Sequence, residues 1–296
     1  MKFCLSTLMF LGHRLDREVI RGIAAAGINR IELFVQRPHF DTLDSAQIEE
    51  VRRALDESGV EVISAHAPIY RDRLKERAAR KQLVLSLADP DMVLRELSIR
   101  ELDAAIDVCA AFGAPNLVVH TGLKGLDGPE GDAEVARCVE SLHGPAARAE
   151  EKKVNLALEN GTDPGVSVSL LIEVLGRLDV GNAGICLDVG HSNLFGNPHA
   201  DLRQARPYLY SLHLHDNEGT DDLHLVPGRG TIDFRDVIGF LRRSQFVGII
   251  TMEVGVEEGV DPDSLPSLCA HAGRVTGIID SFERGLVMAA GEGRTP

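Results

Sequence analysis

The sequence predicts one α/β domain, a single (β/α)8 (TIM) barrel, and three observations support this prediction. Short apolar runs rich in β-branched residues alternate eight times with segments of helical spacing. Strict alternation of strand and helix implies a parallel sheet, and eight such units in 296 residues imply that the sheet closes. A doubly wound open sheet usually has fewer units, and no GxGxxG motif follows the first predicted strand.

Each predicted strand is short and apolar, and each precedes a segment that is predicted to be helical. In chain order the strands are residues 2–7, 30–34, 61–66, 116–120, 155–159, 184–188, 208–215 and 248–253. The helices lie near residues 16–26, 44–57, 98–112, 132–151, 166–178, 198–206, 234–244 and 264–286. Asp44 and Asp233 stand where an N-cap closes the following helix, and Gly59 stands where a left-handed C-cap favours glycine.

Two connections are longer than the others. Residues 67–97 follow the third strand and include a basic run at 71–81, and residues 216–233 form a Gly/Asp/His-rich loop after the seventh strand. Long loops between a strand and the next helix belong to the catalytic end of a barrel. We assign residues 1–288 to the barrel and expect residues 289–296 to form a flexible tail.

Composition restricts the class of protein. The net charge of −14 argues against a nonspecific polyanion binder, because the summed field repels phosphate, so nucleic acid is not an expected partner. Five cysteines without a CxxC pair indicate reduced, buried thiols and a cytoplasmic location. The apolar residues 3–11 lack a cleavage site and are interpreted as the first strand, and no run reaches transmembrane length. The sequence leaves a homo-oligomer open.

Polar residues share one phase and one end of the predicted strands. Because side chains alternate along a strand, Ser64 and His66 lie opposite Ile63 and Ala65, and the bulky face is expected to pack on the helices. The same alternation turns further His, Asp and Glu residues into the barrel near the carboxyl ends of strands. These residues are His120, Glu159, Asp188, His213, His215 and Glu253.

Each of these residues alone has a structural explanation, as a hydrogen-bonded histidine or a helix-capping carboxylate. Together they would place several charges in one barrel mouth, at a cost of several kcal/mol for each buried and unpaired charge. Divalent cations remove that cost. Histidine and carboxylate ligands suit zinc or manganese, and the absence of paired cysteines argues against a structural zinc knuckle.

Seven short motifs in chain order resemble those of the xylose isomerase-like barrel superfamily. They are SAHAPIY (64–70), VVHTG (118–122), LALENG (156–161), CLDVGHSNL (186–194), LHLHDNEG (212–219), DDLHLVPGRGTIDF (221–234) and TMEVG (251–255). This superfamily joins sugar and sugar-phosphate isomerases and epimerases to the AP endonucleases of the endonuclease IV type.

The resemblance implies a metal site of nine residues that holds one to three divalent ions, manganese or zinc. Four residues resemble the ligands of the single-metal epimerases, namely Glu159, Asp188, His213 and Glu253. In those enzymes the two glutamates, here Glu159 and Glu253, also flank the substrate as a general acid–base pair. The remaining five resemble the further ligands of the three-zinc site of endonuclease IV, and they are His66, His120, His191, Asp222 and His224.

Several positions depart from the endonuclease IV pattern and agree better with the isomerase-like members. Thr121 stands where that pattern has proline, Gly190 where it has cysteine, and His215 where it has asparagine. The chain also departs from the ketohexose epimerases. The arginine that these enzymes carry six residues after the strand-seven histidine is Gly219 here, which leaves substrate recognition open.

Two functions follow as hypotheses. The first is a metal-dependent isomerase or epimerase of a small sugar or sugar phosphate, in which the glutamates pass a proton through an enediolate; a related lyase or dehydratase uses the same chemistry. The second is metal-dependent cleavage of abasic DNA, favoured by the nine ligand types, Tyr70 and the basic run at 71–81. We interpret that run as a solvated helix face with partly balancing acidic residues.

Three further residues are candidates for substrate contact. Glu32 lies in the inward phase of strand two, where it is either a ligand for a sugar hydroxyl or a structural carboxylate. His215 shares the inward face of His213 and is placed to contact the substrate or another ligand. Arg229, between Gly228 and Gly230, is predicted to reach a phosphate group.

Overall fold

A computed structural model describes residues 1–71, 83–161 and 165–285 of the chain. Eight parallel strands form a closed barrel in the order β1 to β8, which confirms the predicted fold class. The strands are β1 (Lys2–Ser6), β2 (Arg30–Phe34), β3 (Glu61–His66), β4 (Asn116–Val119), β5 (Asn155–Glu159), β6 (Ala183–Asp188), β7 (Leu209–Leu214) and β8 (Ile249–Met252). His120, His215 and Glu253 therefore stand one residue beyond their strands.

Helices surround the barrel. Within the described residues they are α1 (Arg17–Ala25), α2 (Ser45–Ser58), α3 (Met92–Ala111), α4 (Gly128–Glu151), α5 (Val168–Leu178), α6 (Val189–Phe195), α7 (Pro198–Ala205), α8 (Phe234–Arg243) and α9 (Leu265–Arg284). The predicted caps are confirmed, since Asp44 and Asp233 accept backbone N–H groups and Gly59 adopts a left-handed conformation. Residues 72–81 of the basic run and the predicted tail at 289–296 lie outside the described residues.

Two helix predictions were wrong. Helix α3 begins at Met92, six residues before the predicted start, because the carboxylate of Asp91 accepts the N–H of Val93 and caps this first turn. Helix α6 was not predicted. It begins directly after Asp188, whose side chain accepts the N–H of His191 at 2.7 Å, so a strand-end carboxylate also serves as a helix cap.

The outer faces of the strands pack on the helices in one continuous core, as predicted. The prediction was wrong at Ile63, which packs with Cys4 and Ile249 instead of with the outer core. A register shift between β2 and β3 interrupts the alternation here, so Ser64 pairs with Glu32 while Val62 pairs with Ile31. Within the described part of the chain, no helix is both long and apolar enough to cross a membrane.

Candidate metal centre

The carboxyl ends of four neighbouring strands bring one set of donor atoms together. Glu159 ends β5, Asp188 ends β6, His213 lies in β7 and Glu253 follows β8. Donor atoms of these four buried residues all lie within 4.8 Å of one another. Nδ1 of His213 lies 2.9 Å from Glu159 and 3.0 Å from Glu253. We call Glu159, Asp188, His213 and Glu253 the carboxylate set.

A second group of donors shares Glu159 with the carboxylate set. Nε2 of His66 lies 3.2 Å and Nε2 of His120 lies 2.7 Å from Oε2 of this glutamate. The three residues again have donor atoms within 4.8 Å of one another. Glu159 thus stands between two groups of donors, and each of its oxygens faces a different one.

A third group lies beside the carboxylate set, with His191 3.8 Å from Asp188. His191 on α6 and Asp222 and His224 on the loop after β7 come together there, as the resemblance implied. His215, which was predicted to contact either the substrate or another ligand, joins them. We call His191, His215, Asp222 and His224 the imidazole set. All nine predicted ligand residues therefore lie in these three groups.

Backbone carbonyls orient three of the imidazoles. Nδ1 of His66 donates to Ala67, and Nδ1 of His224 donates to the carbonyl of Glu253, both at 2.7 Å. Nδ1 of His191 donates to the carbonyl of Asn160 at 2.8 Å. A histidine held through Nδ1 presents Nε2 with its lone pair, which is the arrangement typical of metal ligands.

Glu32 lies behind His213 and is fully buried, which favours the structural carboxylate of the two roles that the sequence left open. Its carboxylate lies 3.2 Å from Nε2 of His213, on the side of the ring that faces away from the carboxylate set. Ser64 and Thr251 donate hydroxyl hydrogen bonds to it at 2.7 and 3.0 Å. Glu32 therefore orients His213, as a carboxylate commonly does behind a ligand histidine.

Arg229 was also predicted to bind substrate, and its position does not support this. Its side chain is exposed and does not line the cavity above the donor groups. The buried carboxylate of Asp216, which was not among the predicted site residues, accepts the N–H groups of Gly228 at 2.9 Å and Gly230 at 2.8 Å. This loop is therefore folded around Asp216, and the arginine between the two glycines points outward.

Asn160 was missed as well. Its amide donates to the carbonyl of Asp188 and its side-chain oxygen accepts the N–H of the same residue, at 3.0 and 2.8 Å. Its own carbonyl accepts Nδ1 of His191. Asn160 thus connects the carboxylate set to the imidazole set. The signal was present in the motif LALENG, where the asparagine follows Glu159.

The carboxylates of the first set are held in the anionic form. Burial by itself opposes their charge, but the imidazoles of His213 and His120 lower the pKa of Glu159 well below its usual range. Burial likewise opposes the charge of Glu253, and His213 lowers the pKa of this group. Buried anions at this density require cations, which here are protonated imidazoles or metal ions.

In the imidazole set, too, buried carboxylates and imidazoles stabilise one another in their charged forms. Burial disfavours an imidazolium, yet Asp188 raises the pKa of His191 to about 10 and Asp222 raises the pKa of His224 to about 9. Against its own burial, Asp188 has a pKa lowered to about 2 by His191 and its neighbours. Metal binding would replace these protons, since a ligand imidazole must be neutral.

A cavity of about 910 Å³ opens above the three donor groups. Both glutamates of the carboxylate set line it, and Leu85 and Ile69 provide apolar wall. A cavity of about 980 Å³ lies at the opposite end of the barrel, around Lys2 and Gly248, and none of the three donor groups lines it. The first cavity therefore combines volume with the clustered carboxylates and imidazoles of the three donor groups, which is typical of a binding site.

Comparisons with known proteins identify the family of this chain. The family described as xylose isomerase-like TIM barrel matches residues 20–270. The chain belongs to this family. An uncharacterized protein of Methanocaldococcus jannaschii is 27% identical over 261 residues, which cover 86% of this chain and 83% of that protein.

Solved structures share the fold. A D-tagatose 3-epimerase-like protein superimposes with a TM-score of 0.77 at 23% identity, covering 97% of this chain and 98% of the other. The D-psicose 3-epimerase of Clostridium cellulolyticum H10 has a TM-score of 0.72 at 17% identity, covering 97% and 100%. At these identities the likeness establishes the xylose isomerase-like barrel fold, and the reaction must be argued from the site.

Proposed function

We propose that this xylose isomerase-like barrel is a divalent-metal-dependent isomerase or epimerase of a small sugar or sugar phosphate. The observation that supports this most directly is the pair Glu159 and Glu253. Both belong to the carboxylate set, and both line the cavity above it. Two carboxylates at one metal position, both on the wall of the cavity, suit proton transfer at a carbon beside a carbonyl.

The carboxylate set would hold the ion, as three carboxylates and one imidazole suit manganese or zinc. When bound, such an ion polarises a carbonyl and an adjacent hydroxyl and so acidifies the C–H bond between them. Glu253 and Glu159 then remove and return the proton, one on each face of the substrate. The positive charge of a bound ion would keep both carboxylates ionised and able to accept a proton.

The cavity wall supports a polar, small substrate. Lys124 and Arg137 line the cavity, and Nε of Arg137 donates to the carbonyl of Ala88, which holds the guanidinium in place. These two cations would replace Arg229 as candidates for contact with a substrate phosphate. Two solved relatives bear the names of ketose 3-epimerases, which favours a sugar as the substrate class.

The experiment is solvent deuterium incorporation, measured by NMR on a panel of ketoses, aldoses and their phosphate esters with manganese or zinc supplied. This readout detects C–H cleavage whatever the stereochemical outcome. We expect incorporation beside the carbonyl for at least one sugar, and its loss in Glu253→Gln. The matched control is Glu258→Gln, an exposed glutamate on the same connection, which should behave as the wild type.

The second candidate function is cleavage of abasic DNA. It is favoured by the donors beyond the carboxylate set, since His120 and the imidazole set could hold further ions. We expect no incision of an abasic duplex at near-physiological salt. Rapid incision abolished by Glu253→Gln, with no deuterium incorporation into any sugar, would overturn the isomerase proposal.

A further inference from the structure

His215 is enclosed so that only one of its ring nitrogens, Nε2, faces other polar groups. Its ring is fully buried, and its Nδ1 has no hydrogen-bond partner within the described residues. One face of the ring stacks on His224, with centroids 4.1 Å apart and an interplanar angle of 20°. Any role of His215 therefore has to be carried out by Nε2.

Gly190 provides the space for this ring. A Cβ at position 190 would lie 2.0 Å from Cε1 and 2.4 Å from Nε2 of His215. Any larger residue at this position of α6 would force the ring to move. Gly190 and His215 are also two of the positions at which the chain departs from the endonuclease IV pattern. The two departures are thus one structural change, in which the loss of a side chain on α6 admits a histidine after β7.

The donor atoms around Nε2 have the spacing of a tetrahedral site. Ligands about 2.0–2.1 Å from zinc at tetrahedral angles lie about 3.3 Å from one another. Oδ2 of Asp222 lies 3.1 Å from Nε2 of His224 and 3.5 Å from Nε2 of His191, and Oδ1 of Asp222 lies 3.6 Å from Nε2 of His215. One donor atom from each of the four residues lies within 4.8 Å of the others. Small side-chain shifts would bring these four donors onto one ion.

We propose that Nε2 of His215 completes a four-donor zinc site with His191, Asp222 and His224. The protein alone saturates this ion, which leaves no position for substrate or for a reactive water. The two sets differ in chemistry. Three imidazoles and one carboxylate favour zinc, whereas the three carboxylates of the carboxylate set suit manganese. The zinc then fixes α6 against the loop after β7, next to the carboxylate set.

One alternative role uses the same nitrogen. Nε2 of His215 lies 3.0 and 3.2 Å from the two oxygens of Asp188, so it could donate its proton there and only orient that carboxylate. A nitrogen that donates a proton cannot at the same time bind a metal, so the two roles exclude each other. A ligand role predicts that substitution of His215 weakens metal binding at the imidazole set, whereas an orienting role predicts weaker binding at the carboxylate set. Metal-binding measurements can therefore separate them.

The first test is zinc affinity, measured by competition with chelators of graded strength. We expect His215→Asn to weaken the tighter zinc site by more than about 100-fold, since loss of an orienting partner alone costs about 10–100-fold. His199→Asn is the matched control, because His199 pairs with Asp236 at the exposed surface. With one equivalent of cobalt(II), the wild type should give the intense visible bands of four-coordinate cobalt, and His215→Asn should not.

The second test is the same substitution in a His224→Asn background. If His215 belongs to the imidazole set, His215→Asn adds no further loss of metal there, because the site is already incomplete. If His215→Asn weakens binding of the ion in the carboxylate set as much in the His224→Asn background as it does in the wild type, the proposal is overturned. His215 would then serve to orient Asp188. His215→Gln replaces His215→Asn if the latter does not fold, as judged by circular dichroism. Metal binding is measured without turnover, so the result stands whichever reaction the carboxylate set performs.

Discussion

The two ends of the barrel lumen use the same strands for opposite purposes. Nearer the amino ends of the strands the lumen contains small and apolar side chains, with Val118, Ala157 and Cys186 packed together against Tyr210. Two residues further along each of these strands, the lumen becomes a cluster of carboxylates and imidazoles. The apolar end gains stability from burial, while the polar end places charges that need a cation. Mutations at the two ends should therefore fail in different ways.

The largest effect is expected for a substitution at the polar end, where turnover should fall. Glu253→Gln should lower the rate of proton transfer by about 10²–10⁴-fold, the usual cost of losing an acid–base group. The midpoint of thermal unfolding should change little, because the amide keeps the shape of the side chain. Metal content has to be measured in parallel, since Glu253 is also a candidate ligand. Wild-type turnover in a metal-loaded variant would contradict the assigned role.

At the apolar end the effect is expected in stability. Ile63→Ala removes the side chain that packs with Cys4 and Ile249, and should lower the free energy of unfolding by about 2 kcal/mol, the lower part of the range for such truncations. Denaturant titration measures this change. Metal content and turnover of the folded variant should match the wild type. Loss of metal in this variant would show that the two ends are not independent.

The addition of a single methyl group tests the close contact between Gly190 on α6 and the ring of His215. Gly190→Ala should lower the free energy of unfolding of the metal-free protein by about 1–3 kcal/mol, the usual cost of overpacking, because the new Cβ collides with His215. In a His215→Ala background the same substitution should cost much less. Urea titration of the four variants gives the coupling. Equal costs in both backgrounds would mean that the ring is not what Gly190 accommodates.

The smallest effect concerns a histidine outside the donor groups. Burial lowers the pKa of His271, whose Nε2 donates to the carbonyl of Gly255 while Nδ1 accepts a hydrogen bond from Arg274. A base whose folded pKa is lowered contributes stability above its unfolded pKa near 6.5, and this stability is lost as pH falls below that value. Thermal unfolding midpoints measured as the pH is lowered through 6.5 should fall less in His271→Gln than in the wild type. An unchanged slope would contradict the assignment.

Much of this arrangement could be predicted from periodicity alone. Alternation of short apolar runs with helical segments identifies the barrel, and the two-residue repeat within a strand puts Glu159 and Asp188 in the lumen. The repeat fails where a strand carries an extra residue, as at Ile63, because a bulge depends on the neighbouring strand. Helix α6 was missed for a related reason. Its cap is a strand-end carboxylate, Asp188, which was interpreted only as a ligand.

The sequence by itself determined the fold, the end of the barrel that carries the ionisable groups, and the residue types available to bind a metal. These depend on local pattern and on the geometry common to all parallel barrels. Only the tertiary structure decided where each of these side chains points and which neighbours it contacts. Glu32 lies behind His213 rather than in the cavity, Arg229 points outward, and His215 enters the imidazole set through the space left by Gly190. Such roles depend on contacts between residues far apart in the chain, which no local pattern contains.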